Sequence, residues 1–116
     1  MANPFSTSEI EVSAQRAAEL QREGAQIIDV REPYEWEAGR IPGARHIELE
    51  RLSSEAETID RDRPVVFQCR LGARSAMATQ AFRAAGYDAW SLAGGLEAWH
   101  REGLPLEPED GTVAPH

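Results

Sequence analysis

The chain holds one cysteine, Cys69, and the residues around it decide what that thiol can do. It closes the apolar run "PVVFQ" and opens "CRLGARS", so Arg70 and Arg74 follow within five positions and Gly72 lies between them. A lone cysteine at a strand end is most often a small buried hydrophobe. Here, however, the thiol stands at the mouth of a loop that opens a helix. Unpaired backbone N–H groups and the positive end of the helix dipole gather at such a place. Gly72 lets the backbone curl until those N–H groups converge into an anion nest. Arg70 and Arg74 add positive charge that does not titrate away. A structural cysteine needs none of this. The surroundings favour a nucleophilic thiolate and would also hold a small anionic substrate. Leu71, Ala73 and Ser75 complete the loop, and Leu71 with Ala73 makes its rim less charged than it could be.

Other chemistries are excluded by what is missing. With no second cysteine, neither a disulfide framework nor a cysteine zinc cluster can form. His46, His100 and His116 are scattered without metal-ligand spacing, so no metal is expected. All 12 basic residues are arginine, which removes lysine as a Schiff base or general base. A net charge of −8 argues against a surface that coats nucleic acid. No apolar run approaches the roughly 20 residues that span a bilayer. The start "MANPFSTSEIEVS" has neither a basic region nor an apolar signal segment, so a cytoplasmic location is expected, with no membrane partner.

The elements that must position Cys69 are legible as an alternation. "EIEVS" reads as a short strand ending at Ser13, a helix N-cap for "AQRAAELQRE", with Ala17, Ala18 and Leu20 as its apolar face and Gly24 as its stop. "AQIIDV" reads as a buried strand, "EPYEWEAG" as a short helix begun by Pro33, and "IPGARHIEL" as a turn and brief strand. "LERLSSEAETI" is expected as a surface helix turning Leu49, Leu52 and Ile59 inward. "PVVFQC" is the clearest strand and "ARSAMATQAFRAAG" the clearest helix, with Ala73, Met77, Ala81 and Ala84 on one apolar face. "DAWSLA" is a further strand, and "GGLEAWHREG" a tight turn and helix. Such alternation predicts an α/β domain with a mostly parallel sheet covered on both faces. Its ligand site belongs at the carboxyl ends of the strands, where Cys69 falls. One domain over 1–106 is expected, with 107–116 as a flexible tail, since "LPLEPEDGTVAPH" is rich in proline and poor in apolar residues.

Three segments resemble one family. "CRLGARS" resembles the active-site loop of rhodanese domains, which runs from a catalytic cysteine through a glycine-containing stretch to a closing arginine. "IIDVREPYEWEAGRIPGARHIEL" resembles that family's first signature and "LAGGLEAW" its carboxyl-terminal one; together the three span residues 27 to 99 in the expected order. The resemblance implies a rhodanese-like α/β fold, five strands in a mostly parallel sheet with helices on both faces. It also implies a sulfurtransferase. In that chemistry the Cys69 thiolate attacks the outer sulfur of thiosulfate (or another donor) and sulfite leaves. The Cys69 persulfide then passes its sulfur to cyanide or a thiol. The partners implied are a small anionic sulfur donor, a thiophilic acceptor and a sulfur-accepting protein. Attack by Cys69 needs no general base, and no metal or organic cofactor enters. Asp29 and Arg31 match positions that are architectural in the family, ordering loops beside the site. Arg70 is the candidate for substrate contact, while Arg74 closes the loop and can turn to a carboxylate. His46, Trp36, Trp90 and Trp99 read as structural, and Gly94-Gly95 as a tight turn.

Rival readings share parts of this pattern. Cysteine-dependent phosphatases of the same architecture use a loop one residue longer, to surround a tetrahedral phosphate. Cys69 to Arg74 inclusive is six residues, the sulfurtransferase length. Arsenate reductases relay oxidation to another cysteine, which is absent here. A non-catalytic docking or sulfur-relay module is the third alternative, though such modules often lose the cysteine that this chain keeps.

Overall fold

The computed structural model describes residues 8–116. The first seven positions of the expected domain, most of the stretch read for a signal segment among them, lie outside the described residues. Among the described residues, five strands form one sheet in the order β1-β5-β4-β2-β3. They are β1 (Glu11–Val12), β2 (Gln26–Asp29), β3 (Arg45–His46), β4 (Val65–Gln68) and β5 (Ala89–Leu92). Every neighbouring pair is parallel. The helices are α1 (Ala14–Arg22), α2 (Pro33–Ala38), α3 (Leu52–Glu55), α4 (Ala73–Ala84) and α5 (Gly95–Arg101). Parallel pairing follows from the chain's alternation, since each strand must be carried back across the sheet before the next begins.

Strand β4 lies at the centre, and all four of its residues are buried. Its side chains supply both cores. Val65 and Phe67 face one core with Ile28, Val30, Leu52, Ile59, Phe82 and Tyr87. Val66 faces the other with Ile27, Ile41, Leu92, Leu96, Trp99 and the alanines of α1. Phe67, Phe82 and Tyr87 stack in tilted pairs, with centroids 4.9 and 4.8 Å apart. Burying one such aromatic ring contributes about 2–3 kcal/mol. From β2 the chain runs outward to β3, and from β4 it runs the opposite way to β5. That divergence opens a crevice outside the carboxyl ends of β2 and β4.

Three expectations about individual elements need correcting. The stretch "EIEVS" contributes only Glu11–Val12 as strand, after one 3-10 turn at Ser8–Ile10. "LERLSSEAETI" is not one helix but α3 flanked by 3-10 turns at Leu49–Arg51 and Ala56–Thr58, although Leu52 and Ile59 are buried as expected. More consequentially, α4 packs on the opposite face from the one read off its alanines. Ser75, Ala76, Ala78, Thr79 and Phe82 are buried, whereas Ala73, Ala81 and Ala84 are exposed and Met77 is 63% exposed. The buried face carries two hydroxyls that find partners inside: Thr79 donates to the Ser75 carbonyl at 2.8 Å, and Ser75 meets Ser91 at 2.8 Å. Satisfied hydroxyls can be buried.

Residues 107–116 were expected as a loosely held tail; they are docked instead. Arg40 and Glu107 exchange backbone hydrogen bonds of 3.0 and 2.8 Å, and the Thr112 amide donates to Ala38 at 2.8 Å. The Tyr34 hydroxyl donates to the Pro115 carbonyl at 3.1 Å, and Val113 packs on the second core. Gly39 lets the segment in: a Cβ there would stand 2.8 Å from the Thr112 nitrogen and collide with the Thr112 oxygen. The segment is held by main-chain bonds and close approach, which composition does not reveal.

Candidate active site

The site is built at the crevice between β2 and β4. Cys69 directly follows β4 and is only 1% exposed, with its Sγ at the base of the loop that leads into α4. The Gly72 amide donates to Sγ at 3.1 Å and the Ser75 amide at 3.4 Å; Ser75 Oγ lies 3.6 Å away. Gly72 makes this curl possible, with a φ of 117° in the left-handed region that other residues rarely adopt. Among the described residues, the amides of Arg70, Leu71, Ala73 and Arg74 donate no hydrogen bond, which leaves them for a ligand. A cleft of about 150 Å³ opens here, lined by Cys69, Arg70, Leu71, Ala73, Arg74 and His116.

The loop's carbonyls are held from behind. The Leu96 amide donates to the Cys69 carbonyl at 2.8 Å and the Glu97 amide to the Arg70 carbonyl at 3.2 Å. The first turn of α5 thus fixes two peptide planes of the loop. Gly95 permits the approach, since a Cβ on it would collide with both of those carbonyl oxygens. The pair Gly94-Gly95 is more than a turn before a helix.

Arg74 closes the loop onto α2. Its Nη1 and Nη2 donate to Glu35 Oε1 and Oε2 at 2.7 and 3.0 Å. Glu35 is wholly buried, and its Oε1 also accepts from the Glu32 amide at 3.1 Å. Burial pushes the Glu35 carboxyl up, but the Arg74 hydrogen bonds, the Glu32 amide and the guanidinium charge outweigh it. The carboxyl is held below its ordinary value. The Arg74 guanidinium moves up, chiefly through the hydrogen bond to Glu35. Arg70, by contrast, makes only a 3.7 Å ion pair with Glu97, and its Nε is buried without a partner among the described residues.

Asp29 and Arg31 lie beneath the crevice as a buried pair. Arg31 Nε and Nη2 reach Asp29 at 2.9 and 2.7 Å, and Nη2 also donates to the Gly39 carbonyl at 2.8 Å. His46 Nε2 sits 2.7 Å from the Arg31 carbonyl while its ring stacks on Trp36. Neither Asp29 nor Arg31 lines the cleft; the pair ties the end of β2 to the end of α2.

Cys69 and its loop are therefore brought together where the sequence places them. Three contributors escaped sequence reasoning. Glu35 stands three residues after Glu32 at a helix start, a spacing that invites side chain to amide bonding at the N-terminus. Gly95 was legible only as a turn. His116 reaches the cleft through the docked segment, which sequence reading left loose.

A family profile for the Rhodanese-like domain matches residues 13–102. The chain is 34% identical over 103 residues to thiosulfate sulfurtransferase GlpE of Pseudomonas aeruginosa, covering 88% of this chain and 93% of that protein. A rhodanese-related protein of Thermoplasma volcanium superposes with a TM-score of 0.78 at 28% identity, over 83% of this chain and 95% of the other. A Rhodopseudomonas palustris protein, described as of unknown function and a possible tyrosine phosphatase, superposes with a TM-score of 0.74 at 26% identity, over 92% and 98%.

Proposed function

The chain belongs to the Rhodanese-like domain family, and from that premise we propose a sulfurtransferase that carries sulfane sulfur on Cys69. The observation that carries this reading is the hydrogen-bonded sulfur: two backbone amides aim at Sγ at the base of a small cleft. Thiosulfate is a small dianion. The free amides of the loop and the Arg70 guanidinium supply donors for its sulfonate oxygens. Sγ attacks the outer sulfur, the S–S bond of the donor breaks, and sulfite departs with the bonding electron pair. The persulfide left on Cys69 is anionic, and the same amides stabilise it. Cyanide or a thiol then takes the outer sulfur and returns the thiolate.

The roles divide between the two arginines. Arg74 is engaged with Glu35, so it shapes the loop, and Arg70 is the substrate contact. Asp29 and Arg31 support the crevice from below. A phosphatase reading is disfavoured by the loop itself: six residues from Cys69 to Arg74 close a tight ring around one projecting sulfur. A phosphoryl group presents three equatorial oxygens and needs a wider ring. The deciding experiment is intact-protein mass spectrometry after incubation with thiosulfate, with an aryl phosphate in parallel. One added sulfur, lost again on addition of cyanide, is expected. Aryl phosphate hydrolysis with no added sulfur would overturn the assignment.

A further inference from the structure

The second half of the reaction has a requirement that the cysteine loop does not meet. A thiol acceptor arrives as R–SH and must lose its proton to become a strong nucleophile. His116 stands where that proton could go. It lines the Cys69 cleft, and its Nε2 lies 3.3 Å from Glu32 Oε2. It is not placed by chance contact, because the segment carrying it is bonded to Arg40, Ala38 and Tyr34 on the way. Glu32 faces the Nε2 side of the ring, which leaves Nδ1 as the nitrogen turned away from the carboxylate.

We propose that His116, oriented by Glu32, is the proton acceptor for thiols that discharge the Cys69 persulfide. The inference rests on the sulfurtransferase reading above. As the sulfur of R–SH bonds to the outer sulfur of Cys69–S–S⁻, its proton passes to Nδ1. The S–S bond to Cys69 breaks and its electron pair returns to Sγ. The product leaves as R–S–S⁻, and the imidazolium remains paired with Glu32 until it gives its proton to water. Charge and atoms balance: one negative charge before the step, two negative and one positive after it. The charged groups facing His116 are Glu32 and Glu35 from α2, Arg70 and Arg74 from the cysteine loop, and Glu48 and Glu50 from the segment after β3.

The test separates loading from discharge. Wild type and His116→Gln are loaded with thiosulfate, weighed, and then discharged with β-mercaptoethanol or with sulfite, which has no S–H proton to lose. Equal loading is expected, with discharge to the thiol slowed about 100-fold near neutral pH, the scale of general base catalysis. The deficit should shrink as pH rises and the thiol ionises by itself, while discharge to sulfite stays unchanged. Imidazole added to His116→Ala should restore part of the thiol rate. Equal losses with thiol and sulfite, or no loss with either, would overturn the proposal while leaving the persulfide chemistry standing. Failure of wild type to gain sulfur would overturn the reading beneath it, and failure of His116→Gln alone to load would overturn the proposal.

Discussion

Replacing Cys69 Sγ with oxygen leaves the Gly72 and Ser75 amides a smaller, less nucleophilic atom. Cys69→Ser should therefore abolish thiosulfate-dependent sulfur transfer and the added mass, with a melting temperature close to wild type. Glu35 is a second residue with a sharp expectation. Its carboxylate is buried against Arg74, and removing one partner of a buried pair typically costs about 3–5 kcal/mol because the other charge is left unpaired. Glu35→Ala and Arg74→Ala should each lower both stability and activity, whereas Arg70→Ala should raise the thiosulfate KM with little change in melting. Glu35 also sets a pH dependence. Because its folded pKa lies below the unfolded one, its stabilisation is fully present above the ordinary carboxylate range, about pH 4.3. It is lost as pH falls through the folded value. Urea unfolding of wild type and Glu35→Gln across the acid range should show a steeper acid loss in wild type.

Among the elements, α5 and α4 teach different lessons. Gly95→Ala places a methyl group against the Cys69 and Arg70 carbonyls, so the loop must rotate or α5 must back away. Sulfur transfer should fall by more than about tenfold, since an ångström of misplacement at reacting atoms can cost 100-fold. Steady-state kinetics with thiosulfate and cyanide, alongside a thermal melt, measures both consequences. Strand β4, the cysteine position and the helix after it were readable because a run of apolar residues ended by a glycine-containing loop has few other meanings. The face of α4 was not. Alanine and methionine mark an apolar stripe, but Ser75 and Thr79 were drawn inward by hydrogen-bond partners contributed by β5 and the helix's own backbone. Glu35 was hidden for the same reason: its partner Arg74 lies 39 positions away, and no local pattern joins them.

At the scale of the whole molecule, residues 107–116 behave as part of the fold. Deleting them removes the Arg40–Glu107 exchange, the Thr112 and Tyr34 bonds and the packing of Val113. At about 1 kcal/mol for each hydrogen bond, the loss should be several kcal/mol at most. A melting temperature lower by roughly 5–15 °C is expected. Calorimetry on the shortened chain checks it; an unchanged melt would mean that the segment's contacts are energetically empty. Composition suggested the opposite, because few apolar residues in this stretch signal burial. What secures it is backbone bonding to α2 and a glycine that admits it, neither of which hydropathy records.

The clamp that α5 places on the cysteine loop has a consequence for how such a site can diversify. Leu96 and Glu97 grip the loop through main-chain atoms, and Gly72 and Ser75 reach sulfur through main-chain atoms as well. The reactive scaffold is thus written in backbone, leaving the Leu71 and Ala73 side chains outside it, with Leu71 55% exposed. Those two positions form a swappable rim. Mutational libraries confined to Leu71 and Ala73 could retune which acceptor is admitted while the sulfur-holding geometry is inherited unchanged.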